Sequence, residues 1–295
     1  MAEHSLRVVC GPFTLEWRTA DPLFAWAMSA QWHRHRTDRR PDLTITLQPA
    51  TAPLGAGLWR AMPAIVTEES EDGAVQVRLG NVARIHWHRA VGQMHCICNP
   101  VTSSPAAGAM LDVLCYWLMS VWLSSRGGAL VHACGIITNG VVDLFAGPSG
   151  AGKTTMARSV APARVLHDDS LILTRRDGGC HVSPAPWRNV EWTAQTSASW
   201  PVGRLFLLTR EGPPGVEPVA RSEALALLFK DCWPGVRTRP ACYDPLLAAL
   251  GILVDHHPCY RLSYRLHADD PWPLVAGVRR PSPWMAQGAG TTREV

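Results

Sequence analysis

Gly147-Pro148-Ser149-Gly150-Ala151-Gly152-Lys153-Thr154 decides how this chain is read, because it places glycine, lysine and threonine at the G-x-x-x-x-G-K-[ST] spacing. To its left, Gly140-Val141-Val142-Asp143-Leu144-Phe145-Ala146 is an apolar run after a turn signal and predicts a buried strand. To its right, Thr154 to Val160 predicts the opening turns of a helix. A strand that passes through a glycine turn into a helix gathers backbone N–H groups and the positive helix end around one point, which suits phosphate oxygens. Gly147, Ser149, Gly150, Ala151, Gly152, Lys153, Thr154 and Thr155 form the candidate nucleotide-binding set. Lys153 would reach the outer phosphates and the Thr154 hydroxyl would ligate Mg2+. Lys153 is one of only two lysines, the other being Lys230, so a chain that otherwise writes its positive charge as arginine keeps a compact ammonium here.

Beyond the predicted helix, Arg164-Val165-Leu166-His167-Asp168-Asp169-Ser170 reads as an apolar strand end carrying two adjacent carboxylates. Neighbours on an extended chain point to opposite sides, so Asp168 and Asp169 are expected to have different tasks, one toward a metal and one toward an acceptor. Upstream, Ala129 to Ile137 reads as a strand, and Asn139-Gly140 between two apolar runs is a hairpin signal. This strand should therefore pair with the one feeding the glycine loop. His132 then falls within reach of the same site.

The order of His132 in a strand, hairpin, glycine loop with Lys153-Thr154, helix and Asp168-Asp169 strand end resembles the catalytic domain of HPr kinase/phosphorylase and its smaller kinase relatives. The likeness covers about residues 128–175, and more weakly Pro186-Trp187, Leu205 to Leu208 and Pro258 to Leu262. The resemblance implies an α/β fold with a P-loop HPr-kinase-like catalytic domain, and ATP and Mg2+ as cofactors. By it, Lys153 and the loop amides bind phosphates, Thr154 and Asp168 support Mg2+, Asp169 takes the proton of a seryl hydroxyl, and His132 assists. The family's Glu-x-Arg-Gly-x-Gly run is absent, which suggests a one-way kinase. Asn189-Val190-Glu191-Trp192 stands in roughly that region, making Glu191 a candidate metal ligand and Arg188 a candidate phosphate contact. The smaller relatives sit in clusters that make modified ribosomal peptides, so the expected partner is a peptide or protein acceptor, in particular a ribosomal peptide precursor. The family often forms oligomers, which leaves a homo-oligomer open. Two alternatives stay open: a nucleotide-gated binding module without phosphotransfer, and a small-molecule or carboxykinase-like phosphotransferase.

At 295 residues, 47% hydrophobic and 18% charged, the chain can bury a large core and is expected to form two lobes. Residues 1–104 read as a β-rich accessory or substrate-presenting lobe, 105–278 as the catalytic domain and 279–295 as a flexible tail. The N-terminal runs Leu6 to Trp17, Leu43 to Leu47, Ala74 to Leu79 and Ala83 to His88 read as antiparallel strands, and Phe24 to Trp32 as a short helix. Ser222 to Phe229, with a serine cap, and Tyr243 to Leu253 read as helices. The net charge of +4 is mild and spread over scattered arginines, so no nucleic-acid partner is expected. Ala107 to Leu123 is apolar enough to suggest a membrane span, yet it is slightly short and carries Asp112, so a core helix and no membrane partner are expected. Nine cysteines without a C-x-x-C pair, His95-Cys96-Ile97-Cys98 included, read as reduced thiols, and with no secretory signal visible this favours a cytoplasmic protein. His86 and His88 read as a polar strand face, and Trp187 and Trp192 as candidate walls of an acceptor groove.

Overall fold

A computed structural model describes residues 3–54, 65–69, 74–176, 179–187, 198–231, 243–265 and 270–278. Arg188, Glu191, Trp192 and the expected tail at 279–295 lie outside the described residues.

The N-terminal region builds a seven-stranded sheet from β1 (His4–Cys10), β2 (Phe13–Thr19), β3 (Leu43–Pro49), β4 (Ile65–Glu69), β5 (Ala74–Leu79), β6 (Ala83–His88) and β7 (Gln93–Cys98), in the order β1-β2-β3-β7-β6-β5-β4. The run Leu6 to Trp17 is two strands, folded back at Gly11 with φ +61. The sheet is not wholly antiparallel as the alternation suggested: β2 with β3 and β3 with β7 are parallel. The reason is the connection, since helix α1 (Pro22–Trp32) carries the chain from β2 to β3 and returns it in the same direction. Pro22 opens α1, and the Asp21 carboxylate accepts from the N–H groups of Leu23 and Phe24.

Helix α2 (Ser104–Ser125) starts at the N-cap Ser103 with Pro105 in its first turn, and it is buried along most of its length. It is the one described helix long and apolar enough to cross a membrane, and it lies inside the fold as a core helix. α1 packs against β1 and β2 on one side and α2 on the other. Phe13 meets Trp122 edge-on at 4.8 Å. A single hydrophobic cluster runs from Leu6 through α2 to Cys259, joining the two regions expected as lobes.

The second region is a nine-stranded mixed sheet of β8 (Ala129–Val131), β9 (Ala133–Thr138), β10 (Val141–Ala146), β11 (Val165–His167), β12 (Leu171–Arg176), β13 (Gly179–Pro184), β14 (Trp200–Thr209), β15 (Gly215–Pro218) and β16 (Cys259–Ser263). Its helices are α3 (Lys153–Arg158), α4 (Arg221–Asp231), α5 (Tyr243–His256) and α6 (Trp272–Gly277). Ser222 lies inside α4 instead of capping it. The architecture is mixed α/β. β9 and β10 form the expected hairpin, with Asn139 at φ 51 and Gly140 at φ 80, the two positive angles a type I′ turn requires. β10, β14 and β16 run parallel, and Phe145, Phe206 and Tyr260 stack across them at 5.0 and 5.4 Å.

Two breaks interrupt this sheet. β8 pairs with β12 while β9 pairs with β11. The chain therefore changes pairing partner twice, once at His132 between β8 and β9, and once at Asp168 to Ser170 between β11 and β12. Because the partners are the same two stretches of chain, the interruptions face each other.

The cysteines among the described residues are free and buried, and burial raises the thiol pKa of Cys10, Cys96 and Cys115 well above its ordinary value. On β7 the period of two sends Cys96 and Cys98 inward and His95 outward, which splits the His-Cys-Ile-Cys run as a ligand set. His86 and His88 lie on the outer face of β6, His86 directly across from His95.

Candidate active site

The glycine loop leaves the carboxyl end of β10 and closes on α3. Gly150 at φ 81 and Gly152 at φ 116 occupy backbone angles that side chains resist, and a Cβ on Gly147 would come within 3.0 Å of the Ala151 Cβ and 3.2 Å of the Leu208 carbonyl oxygen. These constraints explain the glycines independently of any motif. Two residues at the ends of neighbouring parallel strands brace the loop. The Tyr264 hydroxyl, just past β16, donates to the Gly152 carbonyl at 2.8 Å, and the Arg210 guanidinium, just past β14, donates to the Gly150 carbonyl. Burial pushes the Tyr264 phenol up to about 12 and keeps it a donor. Sites at the carboxyl ends of parallel strands are the rule in open α/β sheets.

Lys153 opens α3 and is 6% exposed. Its ammonium donates to the carbonyls of Gly147 at 2.6 Å and Pro148 at 3.2 Å. Burial lowers its pKa, and Asp169, Asp231 and Asp168 oppose that shift through their charges. Thr154 projects its hydroxyl to 3.5 Å from Asp168 Oδ2. Asp168 is 2% exposed.

Asp169 faces a different set of groups. His132 Nε2 lies 3.0 Å from Oδ1, and Oδ2 accepts from the hydroxyls of Tyr116 at 3.1 Å and Ser170 at 2.9 Å. Ser170 Oγ is also 3.1 Å from the Tyr116 hydroxyl. Burial by itself would raise the Asp169 carboxyl, but the hydrogen bonds and charge of His132 and the Ser170 hydroxyl outweigh it and hold the group well below the carboxylate range. Asp169 is accordingly an anion at any working pH. The turn that presents both carboxylates is fixed by His167: its Nδ1 accepts from the N–H groups of Asp169 at 3.0 Å and Ser170 at 2.9 Å, while Nε2 lies 3.3 Å from the Trp187 carbonyl. An imidazole that takes two N–H donors on Nδ1 is the neutral tautomer protonated at Nε2.

The structure therefore brings His132, Lys153, Thr154, Asp168 and Asp169 into one region, as their order in the chain led us to expect, with Ser149, Ala151 and Thr155 in the loop and first helical turn. Tyr116, His167, Tyr264, Arg210 and Asp231 were not singled out from sequence. A tyrosine in an apolar helix and a tyrosine after a strand look like core packing until the fold aims their hydroxyls. Among the described residues no group of three or more His, Cys, Asp or Glu could hold a metal ion on its own.

A mixed α/β sheet with a glycine loop at its carboxyl edge and paired carboxylates beside it defines a candidate phosphate-handling site. The family model described as SynChlorMet cassette protein ScmC matches residues 95–268, more than half of the chain, and the chain belongs to that family. The matched span covers α2, the glycine loop and both aspartates and leaves out most of the N-terminal sheet. No curated protein matches the chain.

Proposed function

We propose that the chain is an ATP-dependent kinase of the HPr kinase-like kind, transferring the γ-phosphate to a seryl hydroxyl of a peptide or protein acceptor such as a ribosomal peptide precursor. The observation that carries this reading is the division of labour at one turn: Asp168 sits 3.5 Å from the Thr154 hydroxyl beside the glycine loop, and Asp169, the next residue, is clamped by His132. The site fits the cofactors. Lys153 is a buried cation whose hydrogen bonds go to neutral carbonyls, an arrangement suited to an anionic phosphate. Mg2+ held partly by phosphates needs only one or two protein carboxylates, a task for Asp168 with Thr154. Glu191 remains a candidate further ligand on sequence grounds alone. The family's description as a cassette protein suits an enzyme that acts on another product of the same cassette.

When bound, Mg-ATP supplies the transferable phosphoryl group and the metal charge that offsets its oxygens. Lys153 and the loop N–H groups hold the phosphates, and their placement supplies most of the catalysis by positioning and charge stabilisation. Asp169 orients the acceptor hydroxyl. A carboxylate this acidic is a weak base toward a free alcohol, so it takes the proton late, once the oxygen–phosphorus bond has largely formed and the hydroxyl has become acidic. The His132 Nε2–H, 3.0 Å from Oδ1, holds that oxygen in place. Tyr116 and Ser170 keep Oδ2 in place.

Incubation with radiolabelled ATP, Mg2+ and the peptides of its own cassette should label a peptide serine. Asp169→Asn should lower turnover by about 10²–10⁴-fold with nucleotide affinity nearly unchanged. Lys153→Ala should weaken nucleotide binding itself. A wild-type protein that binds no Mg-ATP ends the reading, and an Asp169→Asn variant that loses binding and turnover equally removes the base assignment.

A further inference from the structure

At the end of β10 opposite the glycine loop, roughly 20 Å away at the rise of a strand, lies a 510 Å³ cavity between the β9–β10 turn, the start of β11 and helix α6. Thr138, Asn139, Arg164, Arg204 and Trp272 line it, with Ala276 and Val278 completing an apolar wall. Its volume is in the range of small-molecule sites, which are mostly apolar with a few fixed polar groups.

The two guanidiniums differ in how their charge is met. Arg204 is 3% exposed and is neutralised: Nε and Nη2 bind the two oxygens of Asp143 at 3.2 and 2.7 Å, and Nη1 donates to the carbonyls of Val275 and Val278 at 3.1 and 2.8 Å. Arg164 is held by neutral groups alone among the described residues. Nε donates to the Ile137 carbonyl at 3.2 Å, Nη2 to the Thr138 hydroxyl at 3.4 Å, and the guanidinium carbon lies 4.2 Å from the Trp272 ring centroid. Stacking on the indole and two neutral acceptors fix the fork in one plane without cancelling its charge. A planar cation immobilised in this way at the wall of a cavity is prepared for an oxyanion, because little side-chain entropy is left to lose on binding.

We infer that this cavity binds a small organic oxyanion, a carboxylate or phosphate carried on a compact apolar body, with the anionic group on Arg164 and the body against Trp272, Ala276 and Val278. The site is separate from the glycine loop and does not depend on the kinase reading.

Isothermal titration of the full chain with benzoate and with inorganic phosphate tests it. Benzoate should bind saturably and more tightly than phosphate, since only benzoate uses the apolar wall. Benzoate binding should persist in Lys153→Ala, which removes the ammonium of the glycine loop, and weaken about tenfold or more in Arg164→Gln, which removes the charged donor. Ala276→Phe, a change at the exposed rim that fills the cavity and leaves Arg164 in place, should cause the same loss and guards against misfolding of the arginine variant. Absence of saturable benzoate binding overturns the inference. So does benzoate binding that disappears with Lys153→Ala yet survives both Arg164→Gln and Ala276→Phe, since the glycine loop would then be the oxyanion site.

Discussion

In β6, Ile85 and Trp87 are buried while Arg84, His86 and His88 alternate onto the outer face; in β10, Val142 to Ala146 are buried without alternation. The first pattern belongs to a sheet with one dry face, the second to a sheet covered on both. A polar side chain can leave the N-terminal sheet at every second residue and meet water there. In a strand covered on both faces, such as β10, it needs an interruption in the pairing or a buried partner. Hence His132 and Asp169 meet at the two breaks, and Asp143 is matched to Arg204. The candidate site lies where the doubly covered ladder is broken.

The same contrast governs the ions, and it can be tested to destruction. Asp143 and Arg204 are buried together at 2.7 Å, whereas Glu16, itself buried, is met by Arg7 at 3.0 Å and Arg18 at 2.7 Å, whose side chains are 39% and 41% exposed. Arg204→Met strands a buried carboxylate and should cost about 3–5 kcal/mol in urea unfolding. A loss below about 1 kcal/mol would show that the two regions do not differ in the way the burial implies.

Tyr116 comes next in size. It stands on α2, the helix shared by both regions, and Tyr116→Phe removes one donor to Asp169 Oδ2. Turnover should fall about tenfold with nucleotide affinity unchanged. Unchanged turnover would make Tyr116 a packing residue only. Glu16→Gln should cost about 1 kcal/mol or less, and the loss should shrink with added salt because its partners are half in water. Equal salt sensitivity of the Arg204→Met and Glu16→Gln costs would erase the distinction.

A separate effect is on acid stability. Burial pushes the His257 imidazole, just past α5, down from 6.5 to about 4. Its folded pKa lies below the unfolded one, so between those values the unfolded chain binds the extra proton and stability falls as the pH drops from 6.5 toward 4. His257→Gln should flatten that slope. A slope unchanged by the substitution would assign the acid loss to other groups.

Much of this was legible in local sequence because it rests on local geometry. The type I′ turn at Asn139-Gly140 needs two positive φ angles, the loop glycines answer steric demands within a few residues, and α2 is announced by Pro105 and a strongly apolar run that carries only Asp112 as a charge. The period of two placed His86 and His88 outside. It could not give strand direction, and the parallel pairing of β2, β3 and β7 follows from how α1 and the β4–β6 excursion return the chain. The assignment of different tasks to Asp168 and Asp169 came from their adjacency. Apart from the adjacent Ser170, the partners Thr154, His132 and Tyr116 came from 14 to 53 residues away.

Sequence by itself determined the glycine cradle, the one ammonium within it, the hairpin and the buried helix, since each depends on backbone angles or periodicity over a short run. Tertiary structure alone decided that the Tyr116 hydroxyl reaches Asp169, that His167 pins the aspartate turn, that Tyr264 and Arg210 brace the loop, and that Arg164 faces a cavity with its charge unmatched by any described carboxylate. Each of those is a directional contact between distant elements, and a hydrogen bond exists only once packing has set both ends within about 3 Å of each other.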